Sequence, residues 1–253
     1  MTREQKIISR EDSADWLMDE HILGSRYKEE GDVRMTIRKN FAVQLNNLQD
    51  KLMELGGFTQ QALRRSMEAL ETQNVELALE VMEDDAKANM LEEEINDMAV
   101  WCIAQQQPVA SDLRRIIGVI KIATAVERIA DYAVNIAKST IRIGDEPHIQ
   151  SLDNIREMHR MLEEMLTLSL GAFQEEDIEK ARRVAEMDDR VDDLYGETIR
   201  SYLSLNQTRP DTLPQVTQFA FVCRFLERGA DHCTNIAENV YYLVTGKRYD
   251  LNS

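Results

Sequence analysis

A chain of 253 residues that is 43% hydrophobic has enough apolar surface for a packed core, which excludes disorder of the whole chain. Its 10 Gly and 4 Pro, set among many Leu, Glu, Met, Ala and Ile, favour helices over strands. A net charge of -16 repels phosphate backbones and anionic lipid surfaces, so it argues against nucleic acid and against a broad membrane-docking face, and in favour of cationic ligands or basic protein patches.

Residues 1–36 read as an N-terminal extension outside the fold, disordered for want of a core of its own. Acids, Arg and Ser are interleaved there around one short apolar cluster, Trp16-Leu17-Met18. Lys28-Glu29-Glu30 fits a translated purine-rich ribosome-binding site ahead of a start at Met35 instead of Met1. N-terminal sequencing of the native protein decides between the two starts.

From about Phe41 the spacing of Leu45, Leu48, Leu52, Leu55, Leu63, Met67 and Leu70 predicts a first helix. Gly56-Gly57 within it marks either a break or a close helix contact, because Gly costs about 1 kcal/mol relative to Ala in a helix interior. A turn at 72–74 follows. Leu79, Met82, Leu91, Ile95, Met98 and Cys102 then stripe a second helix that ends before Pro108. Ser111 or Asp112 is expected to cap a third helix over 112–142, which is apolar nearly all round and therefore expected to run between other helices. After a loop containing Pro147 the order repeats, with helices over 152–173, 177–203 and 212–245. Asp211 or Thr212 is the expected cap of the last helix, Pro214 lies in its first turn and Gly246 supplies its stop. The predicted fold class is all-α, with two tandem three-helix bundles over 37–147 and 148–253.

Cys102, Cys223 and Cys233 lie in apolar helical stretches without a Cys-x-x-Cys pair, and read as reduced core thiols. No apolar run approaches the ~20 residues of a membrane span, and the first residues lack the design of a signal peptide, so a cytoplasmic location and no membrane insertion are expected.

The duplication is visible in the residues themselves. Glu127-Arg-Ile-Ala-Asp131-Tyr-Ala-Val-Asn135-Ile-Ala-Lys138 returns as Glu227-Arg-Gly-Ala-Asp231-His-Cys-Thr-Asn235-Ile-Ala-Glu238. Such self-similarity marks a repeated structural unit. Each copy places a Glu-x-x-x-Asp row on one face of a helix, although like charges four apart cost roughly 0.2–0.5 kcal/mol. The second helix of each half carries a further row: Asp85, Asn89 and Glu92 in the first, Asp188, Asp192 and Tyr195 in the second. Antiparallel packing of second and third helices sets these rows across a groove from one another. Clustered carboxylate oxygens suit a hard cation such as Mg, Mn, Ca or Fe.

The competing reading is a set of salt bridges, with Arg128 and Arg228 engaging carboxylates on adjacent helices. For the Asp85 and Asp188 rows alone that reading is the stronger one. It is the weaker one for the Glu127 and Glu227 rows, which are duplicated within the most apolar helix of each half. His21, His148, His159 and His232 show none of the Glu-x-x-His spacing of di-iron bundles, and His232 points about 100° away from the row of its neighbour Asp231. No phosphate loop, nucleophile elbow or Cys/His pair is present, so an enzyme has no nucleophile to name.

Taken together, Leu55-Gly56-Gly57, Asp85-x-x-x-Asn89-x-x-Glu92, Pro108-Val-Ala-Ser-Asp112-Leu-Arg114, the two Glu-Arg-x-Ala-Asp rows and Glu238-Asn-Val-Tyr-Tyr-Leu-Val-Thr-Gly246 resemble the PhoU family of bacterial phosphate-transport regulators. The resemblance runs from about Ile37 to Asp250. It implies two three-helix bundles bearing metal clusters, in a cytoplasmic and usually dimeric protein that represses the phosphate-starvation response without chemistry of its own. Implied partners are the ATPase subunit of the phosphate ABC transporter and the phosphate-sensing histidine kinase. Implied metal ligands are Glu127 and Asp131 in one half and Glu227 and Asp231 in the other, helped by Asp85, Asp188 and Asp192, with Fe, Mn, Mg or Zn as the ion. Ala130 and Ala230 stand where that family commonly has Gly, Gly229 where it has Ile, and Asn89 where it has Asp. A metal-free helical scaffold and a carboxylate-bridged metal enzyme are the alternatives.

Overall fold

A computed structural model describes the backbone of residues 12–247 and side chains from Asn40 onward. The chain divides into two units, Met1–Gln44 and Leu45–Ser253. The extension expected over residues 1–36 falls in the first unit. Its residues 1–11 lie outside the described ones, and from Asp12 the backbone belongs to helix α1, Asp12–Thr72.

Every regular element among the described residues is helical. In the second unit the rest of α1 is followed by α2 (Val75–Glu83), α3 (Asp85–Gln106), α4 (Ala110–Ile143), α5 (Asp153–Glu175), α6 (Ile178–Thr208), a single 3-10 turn (Pro210–Thr212) and α7 (Leu213–Thr245). The second helix of the first half is therefore broken at Asp84, where no Gly or Pro announces it. Arg65 of α1 forks onto the segment at this point, reaching Glu80 at 2.6 Å and Asp84 at 2.5 Å. The equivalent α6 runs unbroken for 31 residues. No described helix is long and apolar enough to cross a membrane.

Local chemistry explains three of the boundaries. Asn74 caps α2 by accepting from the Leu77 amide, and Asp177 caps α6 by accepting from the Glu179 and Lys180 amides. Gly246, at φ 71°, ends α7 in the left-handed conformation and donates its amide to Tyr242 O. Two expected caps are not formed. Helix α4 starts at Ala110 behind Val109 with no side-chain cap, so Ser111 and Asp112 lie inside its first turn. Thr212 does stand at the expected N-cap position of α7, but it and Asp211 belong to the 3-10 turn and its hydroxyl donates to Arg209 O, so no side-chain cap bond forms.

Helix α4 runs centrally as its all-round apolarity predicts, packing against α2, α3 and α7, with Ile116, Ile122, Ile129 and Ile136 fully buried. The third helices of the two halves, α4 and α7, pack directly on each other. Tyr132 meets His232 there, residue against its counterpart one hundred positions on, with Oη and Nε2 3.4 Å apart. The first helices, α1 and α5, make a second seam that is laced with polar pairs. Arg64 bonds Glu163, Gln60 bonds Thr167, Arg156 bonds Glu71, and His159 Nε2 lies 3.2 Å from Leu63 O. Gly56 belongs to this seam, where a Cβ would lie 2.5 Å from Leu170 Cδ1, whereas a Cβ on Gly57 would meet nothing, so only the first glycine of the pair marks a close contact within an unbroken helix. The three cysteines are free and buried.

Candidate functional site

Two acidic groups form where the third helix of each half faces its second. In the first half, α4 carries Glu127 and Asp131 one turn apart, and α3 carries Asp85 and Glu92. The break at Asp84 makes Asp85 the first residue of α3, at the end of a helix that favours negative charge. Glu127 is buried, and burial first, then Asp131, raises its carboxyl above the usual range, with Glu92 and Asp85 adding to the shift and Arg128 opposing it. Asp85 is raised by burial and by Asp131 across the groove, while Lys138 pulls it down. The two rows are thus within electrostatic reach of each other, as antiparallel packing requires.

The second half repeats this arrangement on α6 and α7, with Asp188 and Asp192 facing Glu227 and Asp231. Asp188 retains only 5% of its accessible surface. Burial, followed by Asp231, Asp192 and Glu227, pushes its carboxyl up to about 7, despite a hydroxyl contact from Thr234. Asp188 Oδ1 and Glu227 Oε2 are buried without a hydrogen-bond partner. An orphaned carboxylate oxygen in an acidic setting is costly unless a cation or proton answers it. Asp192 is more exposed and is raised by burial and by Asp231.

Arginines engage these rows, though not across helices as expected. Arg128 reaches Asp131 at 2.9 Å on its own helix, because residues three apart share a face, and its chain neighbour Glu127 at 3.5 Å. In the second half Arg224, not Arg228, pairs with Glu227, at 2.5 Å, and its guanidinium lies 5.9 Å from the Tyr195 ring. Sequence reasoning missed Arg224 and Lys138, yet both were open to inspection. Arg224 stands three residues before Glu227, where the first half has Thr124, which donates to Glu92 at 3.1 Å. Lys138 is the last position of the twelve-residue repeat and is answered by Glu238. His232 points away from the acidic row, onto Tyr132.

The structure therefore brings Glu127, Asp131 and Asp85 into one group, and Glu227, Asp231, Asp188 and Asp192 into another. Among the described residues no three carboxylate, imidazole or thiol groups converge on a single coordinating point. The donor set nevertheless fits a hard cation in the second half, where two buried oxygens lack partners.

The PhoU domain family model matches residues 52–140 and 155–240, one match for each half of the helical unit. The chain is 38% identical over 216 residues to the phosphate-specific transport system accessory protein PhoU homolog of Clostridium acetobutylicum, covering 85% of this chain and 99% of that relative. It is 32% identical over 213 residues to the PhoU accessory protein of Escherichia coli K12, covering 84% of this chain and 88% of the relative. The crystal structure of PhoU from Pseudomonas aeruginosa superposes with a TM-score of 0.79 at 32% identity, over 82% of this chain and 100% of that one. The phosphate transport system regulatory protein PhoU from Streptococcus pneumoniae gives 0.78 at 26% identity, over 83% and 99%. With both halves matched in sequence and in fold, the chain belongs to the PhoU family.

Proposed function

We propose that this chain is an accessory protein of a phosphate-specific transport system, a negative regulator of the phosphate-starvation response that links transporter and sensor without catalysing a reaction. Similarity to relatives of that name over nearly their whole length supports the role. The observation that carries the molecular reading is the duplicated acidic group, most of all the buried, unpartnered oxygens of Asp188 and Glu227. In this reading the ATPase subunit of the phosphate ABC transporter and the phosphate-sensing histidine kinase are the partners. The protein acts in the cytoplasm as a homodimer.

Asp188, Asp192, Glu227 and Asp231 would hold a hard cation such as Mn, Mg, Fe or Zn in the second half, and Glu127, Asp131 and Asp85 would do so in the first. A bound cation supplies positive charge that offsets the carboxylate repulsion. The residues themselves position that charge on two rigid helices beside the α4–α7 contact. The Arg128 and Arg224 ion pairs favour a second reading, a scaffold whose acidic rows are answered by arginine alone.

A phosphate-starvation reporter tests the role in a strain lacking the gene, complemented with wild type or an Asp131→Asn/Asp231→Asn double variant. Expected are derepression in high phosphate on deletion, full repression with wild type, and loss of repression with the stably expressed double variant. A reporter that stays silent after deletion overturns the regulatory role, and rescue by both proteins reduces the aspartates to structure. Divalent cations should raise the melting temperature by mass action. Identical melts with and without them favour the scaffold.

A further inference from the structure

The two acidic groups have the same ancestry but different counter-charges. In the first repeat Lys138 stands two turns after Asp131 on the same face of α4, and its charge draws down the carboxyl of Asp85 on the facing α3. The number of facing acids is the same in both repeats, since Asn89 stands where the second repeat has Asp192 but Glu92 stands where it has Tyr195. Asp85 also sits on the first turn of α3, where the free amides and dipole of the helix favour its charge. None of these aids is present at the equivalent position in the second repeat. Asp188 lies in the interior of the unbroken α6, and the charged groups that act on it most strongly are the carboxylates of Asp231, Asp192 and Glu227. The position matching Lys138 is Glu238. Among the described residues, the carboxylate oxygens that are buried and unpartnered, Asp188 Oδ1 and Glu227 Oε2, both belong to the second repeat.

We propose that the two sites are unequal: the second repeat, through Asp188, Asp192, Glu227 and Asp231, binds a hard divalent cation tightly, whereas Lys138 supplies part of that charge in the first repeat and leaves it weak. This deepens the metal reading given above and rests on it. A tethered ammonium and a free cation compete for the same carboxylates, so the chain needs external metal mainly on one side. Removing the built-in cation should open the other side.

The test is Mn2+ binding to the full chain, read by calorimetric titration and by metal retained per chain after desalting. Wild type is expected to show one tight class. Asp188→Asn/Glu227→Gln should weaken that class by on the order of tenfold or more, at least what loss of a supporting partner costs a metal site, and Asp85→Asn should leave it unchanged. Lys138→Glu, on a part-exposed position, should add a second tight class while the first persists, and circular dichroism should show each variant folded. Equal losses from the Asp85 and Asp188 variants, or no new class in Lys138→Glu, overturn the inequality while leaving metal binding intact. Absence of any Mn2+ binding by wild type overturns the metal reading itself.

Discussion

The first and second repeats use one motif in two packing environments. In the first, α4 places Ile129 against its surroundings, fully buried, between Glu127 and Asp131. In the second, the same position is Gly229, and a Cβ there would lie 2.8 Å from Leu162 Cδ2, so α7 and α5 approach closely. The second helix of the first repeat is broken at Asp84 and tied down by Arg65, whereas its counterpart is continuous. Duplication thus preserved the carboxylates and let the supporting residues diverge. The motif fixes which groups meet, and the neighbours decide what meeting costs.

The largest expected effects come from exchanging the divergent interior residue. Ile129→Gly removes a fully buried side chain and loosens a helix interior, and should cost about 3–5 kcal/mol. Gly229→Ile drives a side chain into Leu162 and should cost about 1–3 kcal/mol by overpacking. Chemical denaturation measures both, and near-neutral values would show that the two environments are interchangeable after all.

The acidic groups offer the next contrast. In metal-free protein Asp188→Asn relieves a buried, unpartnered carboxylate and should stabilise by on the order of 1–3 kcal/mol. Asp85→Asn loses a charge that Lys138 and a helix end offset in part, and should change stability by less than about 1 kcal/mol. Thermal melts in chelator compare them, and a larger effect at Asp85 would reverse the assignment of the more strained site.

The smallest effect sharpens the difference between the polar α1–α5 seam and the apolar α4–α7 contact. His159 is buried at the first, and burial lowers its imidazole below the usual range, against the opposing pull of Glu163 and Glu71 and with Arg64 adding to it. Because the unfolded chain then binds a proton more readily than the folded one, stability is complete above the ordinary histidine value of about 6.5 and falls as pH drops below it. Replacing His159 with Gln should flatten the loss of melting temperature between about pH 6.5 and 5. An unchanged slope would assign the acid sensitivity to other groups.

Much of this molecule was legible before its fold was known. Leucine and isoleucine spacing locates the helices, and the repeat of the Glu-x-x-x-Asp row locates both acidic groups, because helical periodicity projects sequence offsets onto faces. The break at Asp84 was hidden, since it lacks Gly or Pro and is accompanied by Arg65, a residue of another helix. The missing caps at Ser111 and Asp211 were equally hidden, because where α4 and α7 begin is decided by tertiary packing and by a 3-10 turn, not by the nearest hydroxyl or carboxylate.

What the sequence determined by itself was therefore the helical class, the duplication and the identity of the carboxylates, all properties of spacing along one chain. The tertiary structure alone decided that the third helices meet Tyr132 to His232, that Arg224 and not Arg228 answers Glu227, and that Asp188 is left with an unpartnered oxygen while Asp85 comes within the electrostatic reach of Lys138. These are matters of distance and solvent access between distant segments. Charge type can be read residue by residue, but the energy of a charge depends on what surrounds it.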